Sequence, residues 1–100
     1  MLVTASRERA PDLARALVDL QLCACVNVLG EIRSFYRWEG AVEDDPEALL
    51  VIKTTASAVP ALTEAVRELH DYDLPEVIAL EVTDGLSDYL AWVGAEVSPR

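Results

Sequence analysis

Three features of the sequence predict an α+β domain: one antiparallel sheet with two helices on a single face. The hydrophobic period changes along the chain in the order β-α-β-β-α-β and ends on a further helix. The middle pair of strands reads as one hairpin from Cys23 to Thr55, each arm able to exceed ten residues against roughly five or six for an ordinary strand. The strands are also apolar on both sides, although two helices cover only one face of a sheet. This βαββαβ order is the ferredoxin-like pattern, and the surplus apolar surface predicts that a copy of the same chain covers the rest.

Met1 to Ala5 is a short apolar run and the first expected strand. Ser6 is placed to cap a helix from about Glu8 to Leu22, with Pro11 acceptable only because it falls near the helix start. Ala10, Leu13, Ala14, Leu17 and Val18 recur at helical spacing. The period switches at Cys23. Cys23 to Leu29 is apolar on both faces except for Asn27, and Gly30 predicts a bulge or sharp bend. Beyond it Ile32, Tyr36 and Trp38 share one face, with Glu31, Arg33, Phe35 and Arg37 on the other. In Trp38-Glu39-Gly40-Ala41, Gly40 supplies the positive φ of a tight turn.

In the returning arm Pro46 forbids a ladder hydrogen bond and so belongs at an edge or a break, whereas Ala48 to Thr54 has the continuous apolar character of a central strand. Ser57 is the expected cap of a second helix, with Pro60 in its first turn and Val59, Leu62, Val66 and Leu69 as its buried stripe. It should end near His70, because Asp71, Asp73 and Pro75 are turn residues. Glu76 to Val82 reads as the last strand, Leu86-Ser87 as a staple and cap, and Leu90, Val93 and Val97 as the apolar side of a third helix. Ser98, Pro99 and Arg100 read as a frayed tail.

The chain has 100 residues, the size of one domain, and a 52% hydrophobic content that is high for so small an interior. Eighteen acidic against eight basic residues give a net charge of −10, which argues against nucleic acid and anionic membrane surfaces. No apolar run approaches the roughly 18 residues of a membrane span, and no signal peptide is visible. Two cysteines one residue apart make no disulfide framework, so a reducing cytoplasm is the expected compartment.

Few residues carry chemistry. His70, the single histidine, lies in HDYDLPE and reads either as a metal ligand or as a helix C-terminal residue. Cys23 and Cys25 alternate on the expected strand; they read as two soft ligands on one face, suited to an ion such as Cu(I), or as two small buried apolar groups. Glu43, Asp44, Asp45 and Glu47 lack calcium-loop spacing and read as a solvated hairpin shoulder. Tyr36, Trp38, Tyr72, Tyr89 and Trp92 line a pocket or simply pack. No nucleophile–base motif or phosphate loop is present, and Asn27 with Lys53 is too thin a pair for catalysis. On these residues alone the chain is an acidic, oligomeric, non-enzymatic domain.

Several stretches, in order and suitably spaced, resemble one family. ACVN (Ala24 to Asn27), YRWEG (Tyr36 to Gly40), LLVIKT (Leu49 to Thr54), the H-x-Y-x-x-P-E set (His70, Tyr72, Pro75, Glu76) and YLAW (Tyr89 to Trp92) are similar to the CutA divalent-cation tolerance proteins. The resemblance implies a homotrimer joined through the long hairpin strands, a role in tolerance of divalent cations with copper foremost, and copper binding as in some members; for this chain the expectation is weak binding of divalent or soft metal ions. His70, Cys25 and Cys23 are then the candidate metal residues. The chain departs from the family pattern in having His70-Asp71-Tyr72 for HPY and Cys23 for alanine. Val3 and Leu69 stand where some members carry a cysteine and a second histidine. The family's trimer is similar to that of the PII signalling proteins, which implies the alternative of a small-ligand or partner-binding cleft without a metal role. Asn27, Trp38, Lys53, Tyr72 and Glu76 are its candidate residues. An acylphosphatase-like enzyme is disfavoured, because no glycine-rich anion loop with an arginine is present.

Overall fold

The structure is a computed structural model that describes residues 1–98. Its elements are β1 (Leu2–Ala5), α1 (Ala10–Asp19), β2 (Cys25–Trp38), β3 (Ala41–Lys53), α2 (Val59–Leu69), β4 (Val77–Ile78) and α3 (Ser87–Glu96). The four strands form one antiparallel sheet in the order β2-β3-β1-β4, the ferredoxin-like arrangement expected from the sequence. Val3 and Ala5 of β1, with Ala48, Leu50 and Ile52 of β3, pack beneath Leu13, Ala14 and Leu17 of α1 and Leu62 and Val66 of α2. Strand alternation sends the intervening residues, Leu2, Thr4, Glu47, Leu49, Val51 and Lys53, to the face that α1 and α2 leave uncovered.

The hairpin is the long axis of the molecule, which measures 44 × 26 × 21 Å. β1 pairs with β3 only from Ala48 to Val51, so the stretch from Ala41 to Glu47 has β2 alone beside it. Pro46 falls in this half, where a missing N–H breaks no second ladder. The turn follows the expectation: Glu39 and Gly40 both have positive φ, 50° and 83°, the two-residue geometry whose twist matches that of the strands. The irregularity at Gly30 is also present, as a register shift between Leu29 and Ile32, but Glu31 is the residue in the left-handed region, with φ 64°. The extra residue puts Ile32, Ser34, Tyr36 and Trp38 on the uncovered face opposite Glu47, Asp45, Glu43 and Ala41.

Four expectations need correction. α1 is shorter than Glu8 to Leu22. Ser6 accepts the N–H groups of Arg9 and Ala10 in a preceding turn, and Gln21 takes the left-handed conformation at φ 58° while its N–H bonds Val18 and that of Leu22 bonds Leu17. That is a Schellman ending built without glycine, the residue that would have marked it. Ser57 does not cap α2; it lies in a 3₁₀ turn (Ala56–Ala58) with its hydroxyl against Thr55. Ser87 likewise starts α3 without a side-chain capping bond. The last strand shrinks from Glu76–Val82 to Val77–Ile78, because only these two residues pair with β1, Ile78 with Leu2 and Val77 with Val3. Leu80 and Val82 are left 62% and 70% exposed. In the tail Ser98 is held by Gln21, and Pro99 and Arg100 lie outside the described residues.

Candidate functional site: an acid-lined aromatic cleft

After α2 the chain turns back across the sheet edge, and His70 fixes that turn. Its side chain is 1% exposed. Nδ1 accepts the Tyr72 N–H at 3.1 Å, which leaves the proton on Nε2 to be donated to the Thr4 carbonyl at 2.7 Å. Arg9 adds a bond from its guanidinium to the Leu69 carbonyl at 3.3 Å and approaches Asp71. The His70 ring stands 4.5 Å from that of Tyr72, which it thereby holds over the sheet.

The anchored segment forms one wall of a cleft of about 610 Å³, and the outer half of the hairpin forms the other. Tyr36, Trp38, Tyr72, Asp73 and Glu76 line it, with Thr4 and Glu47 at its floor and Arg37 at its rim. Tyr72 donates its hydroxyl to Glu47 Oε2 at 2.9 Å, and Tyr36 donates to Asp45. Both phenols are pushed up from their ordinary range: Tyr36 to about 12, first by its bond to Asp45, and Tyr72 further, first by burial and then by Glu47. Each therefore remains a neutral donor to a carboxylate at physiological pH.

Glu47 is a further correction to the sequence reading. Grouped with Glu43, Asp44 and Asp45 as a solvated shoulder, it is instead 7% exposed. Its parity with Leu49 and Val51 was the available signal: on a central strand it had to share their face. Asp44 does fit the shoulder reading, since Arg33 pairs with it at 2.7 Å at the surface and holds its carboxyl below the usual range.

Of the expected cleft residues, Trp38, Tyr72 and Glu76 line this cleft, while Asn27 and Lys53 do not. Those two lie at the opposite end of the hairpin, where Lys53 Nζ is 3.8 Å from Cys25 Sγ and Tyr89 faces the same sulfur. The two cysteines are free but do not share an environment. β2 begins only at Cys25, so strand alternation does not relate them. Cys23 sits in the core, its thiol pushed up to about 11, mainly by burial and then by Cys25. His70 bonds Thr4, whose register partner is Leu49, four residues from the Cys25 partner Lys53, or about 13 Å along β3. The candidate metal residues thus fall into separate places, and among the described residues no three His, Cys, Asp or Glu side chains converge on a metal position.

A ferredoxin-like sheet with an uncovered apolar face and a cleft rich in carboxylates and aromatic rings defines a small α+β domain with a candidate ligand cleft. The comparisons agree. The profile of the CutA1 divalent ion tolerance protein family matches residues 1–96, and the chain belongs to that family. It is 51% identical over 92 residues to Protein CutA of Mus musculus, covering 91% of this chain and 52% of that protein. It is 44% identical over 93 residues to the divalent-cation tolerance protein CutA of Thermus thermophilus, covering 93% and 90%. The chain thus spans about half the length of the vertebrate relatives and nearly all of the bacterial one. The solved Thermus thermophilus structure superposes with a TM-score of 0.93 at 44% identity, covering 97% of this chain and 95% of that one. A Nostoc CutA described as PII-like gives 0.93 at 32% identity, covering 99% and 96%. No helix among the described residues is long and apolar enough to cross a membrane.

Proposed function

We propose that this single-domain chain acts as a cytoplasmic homotrimer, without enzymatic activity, in the response to divalent cations, and that it binds copper weakly. The observation that carries the reading is the match to a divalent-cation tolerance protein along 90% of that protein's length. The uncovered sheet face, the hairpin overhang and the truncated β4 supply the surface for assembly. Weak binding follows from the donors. Both nitrogens of His70 are engaged within the fold, so a metal there must displace the Tyr72 N–H or the proton shared with Thr4. Cys23 is buried, and half-buried Cys25 has an ammonium beside it that opposes a cation. Anaerobic copper titration of the wild type, Cys25→Ser, Cys23→Ser and His70→Gln tests the set. Reduced affinity in at least one variant supports it, and identical affinity in all four proteins removes these residues as ligands.

A second reading has its own observation. The cleft gathers three of the five residues expected for a PII-like ligand site, and a close structural relative is described as PII-like. In this reading the trimer binds a small molecule in the cleft, without a metal role. Saturable quenching of Trp38 fluorescence by a small-molecule ligand, in a Trp92→Phe background, tests it.

A further inference from the structure

The lining of the cleft specifies a ligand class. Glu47, Asp73 and Glu76 contribute carboxylates, and Asp45 and Glu43 stand beside Tyr36 on the same face. Arg37 is the one basic residue among the lining residues, and strand alternation directs its side chain to the opposite face from Tyr36 and Trp38. An anion would meet repulsion from several sides. The aromatic residues favour a particular kind of cation. Tyr36, Trp38 and Tyr72 remain 41%, 42% and 36% exposed, so their rings are available to a ligand. Two of the three donate their hydroxyls to carboxylates, which raises the electron density of the ring and strengthens its attraction for a cation. Glu47 offers Oε2 to Tyr72, and its second oxygen carries no protein hydrogen bond while belonging to no wholly sealed, unsatisfied group. That oxygen is still reached by solvent although Glu47 as a whole is 7% exposed and lines the cleft, so it is free to accept a charge-assisted bond in a largely desolvated place. A bare dication needs several oxygen ligands around it, and among the described residues none of the required clusters forms. A volume of about 610 Å³ lies within the ordinary range for small-molecule sites.

We propose that the cleft binds a small aliphatic amine, its ammonium on Glu47 and its apolar stem against Tyr36, Trp38 and Tyr72. The proposal rests on the reading of the cleft as a ligand site and names the class of ligand. The test uses the assembled protein in the Trp92→Phe background, with Trp38 fluorescence as readout and 1,5-diaminopentane as probe. Its neutral counterpart 1,5-pentanediol, citrate and magnesium are the comparison probes. The diamine should quench saturably, with the diol, citrate and magnesium at least tenfold weaker. Glu47→Gln keeps an oxygen for the Tyr72 hydroxyl and should weaken the diamine at least tenfold. Asp73→Asn, at an exposed position, should weaken it about threefold. Glu68→Gln removes the same charge from exposed α2, outside the cleft lining, and should change affinity less than twofold. Equal losses in Glu47→Gln and Glu68→Gln would reduce the effect to the net charge of −10 and overturn the proposal. Tighter saturable binding of the diol, citrate or magnesium overturns the ligand class but keeps the cleft as a site. Binding of no probe overturns both.

Discussion

Replacing His70 by alanine separates a structural histidine from a metal ligand, because the two roles predict different results without metal. The substitution removes the bond from Nε2 to the Thr4 carbonyl and the bond that Nδ1 accepts from Tyr72. Thr4 is 9% exposed, so its carbonyl loses a partner in a site poorly reached by water. Two such bonds are worth about 0.5–1.5 kcal/mol each, and loss of the ring packing on Tyr72 adds about 1 kcal/mol. The expected cost is therefore about 2–4 kcal/mol in metal-free buffer. The assay is denaturant unfolding with chelator present, at one protomer concentration because assembly contributes to apparent stability. A second effect should accompany the first: the anchor released, the segment from Asp71 to Glu76 should exchange its amide protons faster than α1 does. A metal-free stability within about 0.5 kcal/mol of wild type would refute the anchoring role and leave metal ligation as the reason for the histidine.

The remaining predictions concern assembly, titration and the hairpin turn. Sedimentation at micromolar concentration should show a trimer, and Trp38→Ala should weaken it. About 40 Å² of indole edge covered by a neighbour, with the ring face left to the cleft, corresponds to ~1 kcal/mol per subunit, and unchanged trimer stability would count against that contact. All three tyrosines have raised pKa values, so at pH 10, where free tyrosine is half ionised, Tyr36 and Tyr72 should add almost no phenolate absorbance and Tyr89 less than a free tyrosine. Because the folded values lie above the unfolded one, the stabilisation is complete below about pH 10. It is lost as pH rises, through about 12 for Tyr36, so alkaline unfolding should coincide with ionisation. Gly40→Ala should cost about 1 kcal/mol, since φ is 83° there although the added methyl meets no neighbouring atom; thermal melts measure it.

Most of the fold was legible because it is set by period and by single decisive residues. Gly40 marked the turn, Gly30 marked the neighbourhood of the bulge, and the run from Ala48 marked the central strand. What was not legible depends on contacts distant in sequence. The end of α1 rests on Gln21 accepting a left-handed conformation, and the extent of β4 on its pairing with Leu2 and Val3, far away in sequence. The site divides in the same way. Trp38, Tyr72 and Glu76 were identified through a motif, but nothing local shows that the His70 turn carries Tyr72 onto Glu47. Asn27 and Lys53 share the uncovered face with Glu47, yet β3 runs between the two ends and keeps them apart.

In the proposed trimer the same face serves both assembly and binding, and the distribution of polarity on it is compatible with both. Near β1 the uncovered surface is aliphatic, with Leu2, Leu49 and Val51 in register and Ile78 and Leu29 at its margins. Such a surface suits burial against another copy, since it brings no charge to desolvate. Toward the hairpin tip the face turns aromatic and acidic, and its carboxylates are already engaged by Tyr72 and Tyr36. Burying those carboxylates under an apolar partner would be costly, whereas a cation compensates them. Trp38 stands at the hairpin tip, lining the cleft from an edge strand that has β3 alone beside it. In the proposed trimer, a subunit that covers the aliphatic region would position the outer hairpin without filling the acidic end, so assembly would set the shape of the cleft.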